Sequence, residues 1–262
     1  MSFFIIQNDE INTLKIEKTL LIEQLKKSYN IHSYIESSLK DNYNIQNFKT
    51  NNIIIPIGTI EFVTKILNQL YGFEKENPIE IPKYLRTDEF LKREYKLIRG
   101  FDLPKTGHYF IKNASKLKDF SYCGELEYLI NENIFKHKNN KFNTILYNDD
   151  IYVISSDFKP ISEYRVYVFN KEIENIVHYD GSPLLFPDIK LIQKAINLIN
   201  YNEKWLKSYT IDIMVNNVGT AIIEIHNFTS CGIYTTLVGN NLPYAYIDGI
   251  EYLLNDNKKI EI

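Results

Sequence analysis

Two stretches near the end of the chain decide how it is read: Tyr209-Thr210-Ile211-Asp212-Ile213-Met214-Val215 and Ile222-Ile223-Glu224-Ile225-His226-Asn227-Phe228. Both alternate apolar with polar residues, as half-buried strands do, and Asn216-Asn217-Val218-Gly219 between them is turn chemistry. In the first stretch Tyr209, Ile211, Ile213 and Val215 face one way and Thr210, Asp212 and Met214 the other. In the second, Ile223 and Ile225 share a face opposite Ile222, Glu224 and His226. A hairpin turning at residues 216–219 sets Asp212 and Glu224 opposite one another to within a residue of register. Two such carboxylates repel, and their pairing persists cheaply only with a cation or a shared proton between them. Asp plus Glu with an amide oxygen nearby suits magnesium, a hard ion that keeps several waters. The alternative is a pair of exposed carboxylates on a solvated face.

Upstream, residues 163–169 alternate again, with Glu163, Arg165 and Tyr167 on one face and Tyr164, Val166 and Val168 on the other. Asn170-Lys171-Glu172 turns this strand into another at residues 173–179. A guanidinium beside an acid pair suits phosphate or carboxylate binding, and a structural Arg165–Glu163 pair is the competing reading. A helix is expected from Pro187, as its N1 residue, with Ile189, Ile192, Ile196 and Ile199 buried. These elements make an antiparallel sheet with one crossover helix, one face apolar and the other charged.

The amino-terminal part reads as alternating strands and helices. Residues 3–6 and 53–57 are short buried strands, and residues 11–27 carry Ile11, Leu14, Leu21 and Leu25 at helical spacing. Thr59 is placed to cap a helix through Leu70, with Gly72 at its end. In the middle, Pro78 and Pro82 bracket an extended connector, and Thr87-Asp88-Glu89 opens a helix through about Leu97. Residues 108–112 are a strand, and residues 144–154 a hairpin turning at Asn148-Asp149-Asp150. Lys112, leaving the strand Tyr109-Phe110-Ile111, either snorkels to solvent or serves as a point charge for phosphate.

The 262 residues are 44% apolar and 24% charged, which excludes global disorder. A net charge of −3 gives no electrostatic footprint for nucleic acid. The apolar residues 3–6 stop at Gln7-Asn8-Asp9-Glu10, too short for a signal peptide. No apolar run approaches the ~20 residues of a spanning helix. With only Cys123 and Cys231, neither a disulfide framework nor structural zinc is supported, and a cytoplasmic location without membrane attachment is expected. No Walker A or GxGxxG sequence occurs, nor a Ser/His/Asp or Cys/His constellation, so any nucleotide is held another way.

Taken together these residues resemble the ATP-grasp superfamily, in which a metal-binding Asp lies on one strand and Glu-x-Asn on the next. More narrowly the chain looks like a phage- and bacterium-associated clade of predicted ATP-grasp ligases. The resembling stretches are Ile54-Ile55-Pro56-Ile57-Gly58-Thr59-Ile60-Glu61-Phe62-Val63, Phe110-Ile111-Lys112 with Lys118-Asp119-Phe120, Ser162-Glu163-Tyr164-Arg165-Val166-Tyr167-Val168, and residues 224–234 with Ser230-Cys231-Gly232-Ile233-Tyr234. The resemblance implies an α+β chain: a small α/β layer over residues 1–76, then an ATP-grasp domain over 77–262. The first lobe of that domain would span about 84–154 and the second about 155–262.

It further implies ATP and Mg2+ as cofactors, with Lys112, and Lys118 as a second, on the phosphates. Residues 153–156, Ile154 and Ser155 among them, would meet adenine. Glu163 would hold the ribose or orient Arg165, Arg165 would steady the transferred phosphoryl group, and Asp212 and Glu224 would ligate the metal. The residue two after the glutamate is His226, where the family pattern has asparagine, and Asn227 follows one place later. Imidazole is a poor magnesium ligand, so either a bulge presents Asn227 or the site has one protein ligand fewer, with His226 and Asn227 both candidates to complete it. Thr210 stands where many ligases place an arginine, a charge Arg165 could supply. The expected function is carboxylate–amine ligation through an acyl-phosphate, on small-molecule, peptide or protein substrates. A non-catalytic ATP-binding assembly or regulatory protein is the alternative. A metal-dependent nuclease, from Asp212…Glu224-x-His226, is a minor one.

Overall fold

A computed structural model describes residues 2–8, 15–28, 32–41, 53–73, 80–115, 121–129, 134–137, 143–145, 149–229, 231–234 and 241–255. The chain opens with strand β1 (Ser2–Gln7), helix α1 (Lys15–Lys27), β2 (His32–Ser37), β3 (Ile53–Ile57) and α2 (Ile60–Tyr71). The three strands form a parallel sheet in the order β2-β1-β3. Ile54 to Ile57 and residues 4–7 of β1 are buried, as expected of parallel strands covered on both faces. Thr59 caps α2, its hydroxyl accepting from the Phe62 amide (3.4 Å), and Gly72 closes it at φ 68°.

The helix expected through Leu97 is only one turn, α3 (Asp88–Leu91). Lys92 ends it in the left-handed region at φ 53°, and the chain continues as β4 (Tyr95–Arg99). A six-stranded antiparallel sheet follows, formed with β5 (Thr106–Asn113), β6 (Ser121–Leu129), β7 (Ile134–His137), β8 (Asn143–Ile145) and β9 (Ile151–Ser156) in the order β4-β9-β5-β6-β7-β8. The expected 144–154 hairpin is therefore corrected: β8 pairs with β7, while β9 lies between β4 and β5. The buried run Tyr152-Val153-Ile154-Ser155 explains this, because a strand covered on both faces belongs in a sheet's interior.

The second antiparallel sheet joins β10 (Ser162–Phe169), β11 (Glu172–Gly181), β12 (Tyr209–Asn216) and β13 (Gly219–Asn227) in the order β11-β10-β12-β13. Asn170 and Lys171, at φ 46° and 71°, supply the two positive-φ positions of a tight β10–β11 turn. Helix α4 (Ile189–Asn202) crosses between β11 and β12. Its cap is Asp188, whose carboxylate accepts from the Lys190 and Leu191 amides, so Pro187 stands before the cap rather than at N1.

One face of this sheet, from Tyr164, Val166, Ile211, Ile213, Ile222 and Ile225, forms a core with Ile192, Ala195, Ile196 and Ile199 of α4. The other face is charged at its centre but not throughout. Tyr167 joins Phe228, Cys231 and Ile233 in a second core, shared with β1, β3 and the closing helix α5 (Leu242–Asn255). Gly249 lets α5 approach closely, since a Cβ there would stand 3.2 Å from the Phe228 amide nitrogen. The amino-terminal layer thus walls one end of the charged face.

Candidate active site between the two antiparallel sheets

Cross-strand register sets Arg165, Asp212 and Glu224 in one row across β10, β12 and β13. The Arg165 guanidinium pairs in two-point fashion with Asp212, Nε to Oδ1 and Nη2 to Oδ2, both at 2.7 Å and both residues buried. Its Nη1 donates to the Gly232 carbonyl (2.9 Å), which also accepts from the Tyr167 hydroxyl (3.0 Å). The Tyr234 amide donates back to that hydroxyl (2.9 Å), fixing the loop so that the Tyr234 ring lies 4.8 Å from the guanidinium. Tyr179 stacks on Tyr234 at 5.0 Å and donates to Glu163 (2.6 Å). Glu163 is therefore engaged with Tyr179, while Arg165 is engaged with Asp212.

The row is completed from the other sheet. Lys112, at the end of β5, places Nζ 3.3 Å from Glu224 Oε2 and 3.9 Å from Glu80 Oε1. Burial alone would depress the Lys112 ammonium, but Glu80 and Glu224 hold its pKa above the usual lysine value. Burial likewise pushes Glu224 up, yet the bond to His226 and the charge of Lys112 hold its carboxyl well below the ordinary range. These groups border a cavity of about 30 Å³ between the sheets, lined by Glu80, Arg93, Tyr95, Phe110, Val153 and Ile223 as well as Lys112 and Glu224.

β13 departs from the expected faces. Asp212 pairs with Glu224 but Ile213 with Ile222, so Ile223 is an extra residue, a β-bulge. Ile222 consequently faces the core beside Ile225, and Ile223 lines the cavity. The bulge precedes Glu224 and leaves the phase after it unchanged. His226 is on the site face, opposite Thr210, and Asn227 on the other pleat, opposite Tyr209. Ligand atoms of Asp212, Glu224 and His226 lie within 4.8 Å of one another. Asn227 Oδ1 instead accepts from the Thr229 amide (3.0 Å) and from its hydroxyl. Two carboxylates with an adjacent imidazole fit a divalent cation, and the amide expected from the family pattern is not part of the set.

Of the segment expected to meet adenine, Val153 lines the cavity. The Ile154 side chain packs with Leu103, Ile111 and Tyr152, and buried Ser155 donates to the Ser156 carbonyl (3.0 Å). Lys118 lies outside the described residues. Sequence reasoning missed two groups here. Glu80, read as part of a connector, accepts from the Tyr95 hydroxyl (2.6 Å) beside Lys112. Arg93, read as a helix residue, donates to the carbonyls of Ile222 (2.8 Å) and Ile223 (3.4 Å) and lies 4.4 Å over the Phe158 ring. Burial pushes the Arg93 pKa down to about 10. For Glu80 the only signal was a charge set between Ile79 and Ile81, and Arg93, between Lys92 and Glu94, carried none.

Elsewhere Asp157 sits between Cys123 (3.0 Å) and His108 (3.4 Å). Burial and Asp157 raise the thiol to about 12, so this trio offers no thiolate nucleophile. Among the described residues no helix is long and apolar enough to cross a membrane.

Two antiparallel sheets facing each other across a row of acids and cations define the ATP-grasp fold, and the comparisons agree. D-cycloserine synthetase DcsG superposes with a TM-score of 0.57 at 7% identity over 97% of this chain and 100% of that one. D-alanine–D-alanine ligase from Bacillus anthracis, complexed with ATP, gives 0.53 at 13% over 98% and 100%. A RimK domain ATP-grasp protein from Sphaerobacter thermophilus gives 0.51 at 11% over 96% and 100%. No curated protein matches the chain significantly by sequence. A family model for an ATP-grasp domain, the second family of its clade, matches residues 90–242, and the chain belongs to that ATP-grasp family.

Proposed function

We propose that the chain is an ATP- and magnesium-dependent ligase that joins a carboxylate to an amine through an acyl-phosphate. The observation that carries this reading is the row Arg165–Asp212–Glu224 on one sheet, met by Lys112 from the other across a cavity. A carboxylate oxygen of the substrate attacks the γ-phosphorus of ATP and ADP leaves. An amine then attacks the acyl carbon, phosphate leaves and the amine gives up a proton.

Lys112 supplies a point charge to the α/β-phosphates, with Lys118 a second such contact. Arg165, held rigid by Asp212, Gly232 and Tyr234, presents fixed positive charge where phosphoryl oxygens develop theirs. Glu163, set by Tyr179, faces the ribose, and the backbone of Ile154 and Ser155 faces adenine. Asp212 and Glu224, with His226, are the side chains that would hold the metal, which supplies further charge neutralisation on the phosphates. Use of ATP fits the cytoplasm, and the substrates are a small molecule, a peptide or a protein bearing the two groups.

The second reading, an ATP-binding protein without turnover, draws on His226 standing in the ligand set where an amide is expected. One experiment separates the two. In a thermal-shift assay, ATP with Mg2+ stabilises the wild type by about 2.7 kcal/mol at a hundredfold excess over Kd, and Glu224→Gln much less. ADP release over mixtures of amino acids and peptides then marks the ligase. No shift in the wild type removes both readings.

A further inference from the structure

We propose that Asp212, Glu224 and His226 form a mixed carboxylate–imidazole centre that holds Mn2+ more tightly than Mg2+, the Mg2+ of the proposed reaction filling it only at high concentration. For the ion's place in a reaction this rests on the proposed function; for its ligands it rests on geometry alone. The candidate donor atoms lie within 4.8 Å of one another, and His226 Nε2 already stands 2.8 Å from Glu224 Oε1, turned toward the acids. The amide that would harden the set belongs to Asn227, which is on the opposite pleat and bonded to Thr229. Replacing an amide oxygen by an imidazole nitrogen disfavours Mg2+, which demands hard oxygen ligands. Mn2+ takes carboxylates and water as Mg2+ does but also accepts imidazole. The contacts of Asp212 to Arg165 and of Glu224 to Lys112 do not exclude the ion, because a carboxylate has about four lone-pair sites.

A second observation points the same way. Thr210 lies directly opposite His226 in the strand register and is fully buried. Its Oγ1 has no hydrogen-bond partner among the described residues. An imidazole that ligates a metal donates its other N–H to an outer acceptor, which fixes the tautomer. With the ion bound, Thr210 Oγ1, opposite His226 in the register and without a partner, would be that acceptor, whereas a simple His226–Glu224 ion pair gives it no role.

The test titrates Mn2+ alone, without nucleotide, into the full chain and follows free and bound ion by EPR. The wild type should bind Mn2+ with the nitrogen modulation of a directly coordinated imidazole in pulsed EPR, and Mg2+ should displace it only in large excess. His226→Asn should lose the modulation and bind Mn2+ about 10–100-fold more weakly, with Mg2+ affinity maintained; Thr210→Val should keep the modulation and weaken Mn2+ about tenfold. Absent Mn2+ binding, bound Mn2+ without nitrogen coupling, even competition by Mg2+, or His226→Asn binding Mn2+ as tightly as wild type would each overturn the proposal. None of these readouts involves ATP. A chain that fails here and still shifts with ATP and Mg2+ keeps the ligase reading, and the converse holds.

Discussion

Arg165 and Asp212 are 6% and 3% exposed, so their two-point contact is a buried ion pair and its two halves depend on each other. Removing one partner strands a desolvated charge, whereas replacing both by apolar groups is tolerated far better. Asp212→Asn should therefore cost about 3–5 kcal/mol in urea denaturation, and Arg165→Met with Asp212→Leu should recover most of it. The Arg165 charge proposed to meet the phosphoryl group is thus bound up with stability, and Glu224, half-buried, is the better place to probe ligand binding alone. Its carboxyl is held below its ordinary value of 4.5 in the folded chain. A depressed folded-state pKa gives stability that is fully present above the unfolded value and lost as pH falls through the folded one. The wild type should thus exceed Glu224→Gln in stability by a constant amount near neutrality, and the gap should close as pH drops below about 4.5. Equal acid limbs for the two proteins in denaturation across that range would show that Lys112 and His226 do not stabilise the charged form.

At the level of elements, the bulge at Ile223 decides what β13 presents. Two carbonyls of the bulge, Ile222 and Ile223, accept from Arg93, whose guanidinium is stacked on Phe158 in the segment joining β9 to β10. Arg93 therefore ties two segments, its own between α3 and β4 and the one joining β9 to β10, to the strand that carries Glu224. Arg93→Met should destabilise by about 2 kcal/mol, the order of a lost hydrogen bond to a charged group, and weaken the thermal shift with ATP. Arg93→Lys should not restore it, because an ammonium cannot bond two carbonyls in a fork while stacking on a ring. Alternation had made the faces of β10 and β12 legible, and with them the meeting of Arg165, Asp212 and Glu224. The bulge was not legible, because Ile222 and Ile223 are chemically identical and either could be the extra one. Nor was the early stop of α3, since Lys92 carries no sequence sign of its left-handed conformation. The position of β9 could have been read from its continuous apolar run, but Asn148-Asp149-Asp150 argued for a hairpin. Local turn chemistry says where a chain bends, not which strand it then joins.

Across the whole molecule, the two antiparallel sheets are held together at the site by Lys112 reaching Glu224, with Glu80 behind it. The cavity beneath, about 30 Å³, has room for one or two waters, whereas pockets for small molecules run to about 300–1,000 Å³. A triphosphate that meets Lys112 at this cavity would displace the ammonium from Glu224. Losing that contact is inexpensive: with side chains 20% and 33% exposed, the pair is partly solvated and worth at most about 1 kcal/mol. Triphosphate offers Lys112 a denser anion than the carboxylate it leaves. Lys112→Gln should accordingly sit within about 1 kcal/mol of wild type in urea denaturation, in contrast to Asp212→Asn, and yet lose most of the ATP-induced thermal shift. Hydrogen exchange gives the spatial check. ATP should slow exchange of the amides bordering the cavity in β5, β9 and β13 in the wild type, leave α2 unaffected, and have little effect on either region in Lys112→Gln. If that variant retained both the shift and the protection, the nucleotide would have to bind away from Lys112, and the cavity between the sheets would not be its seat.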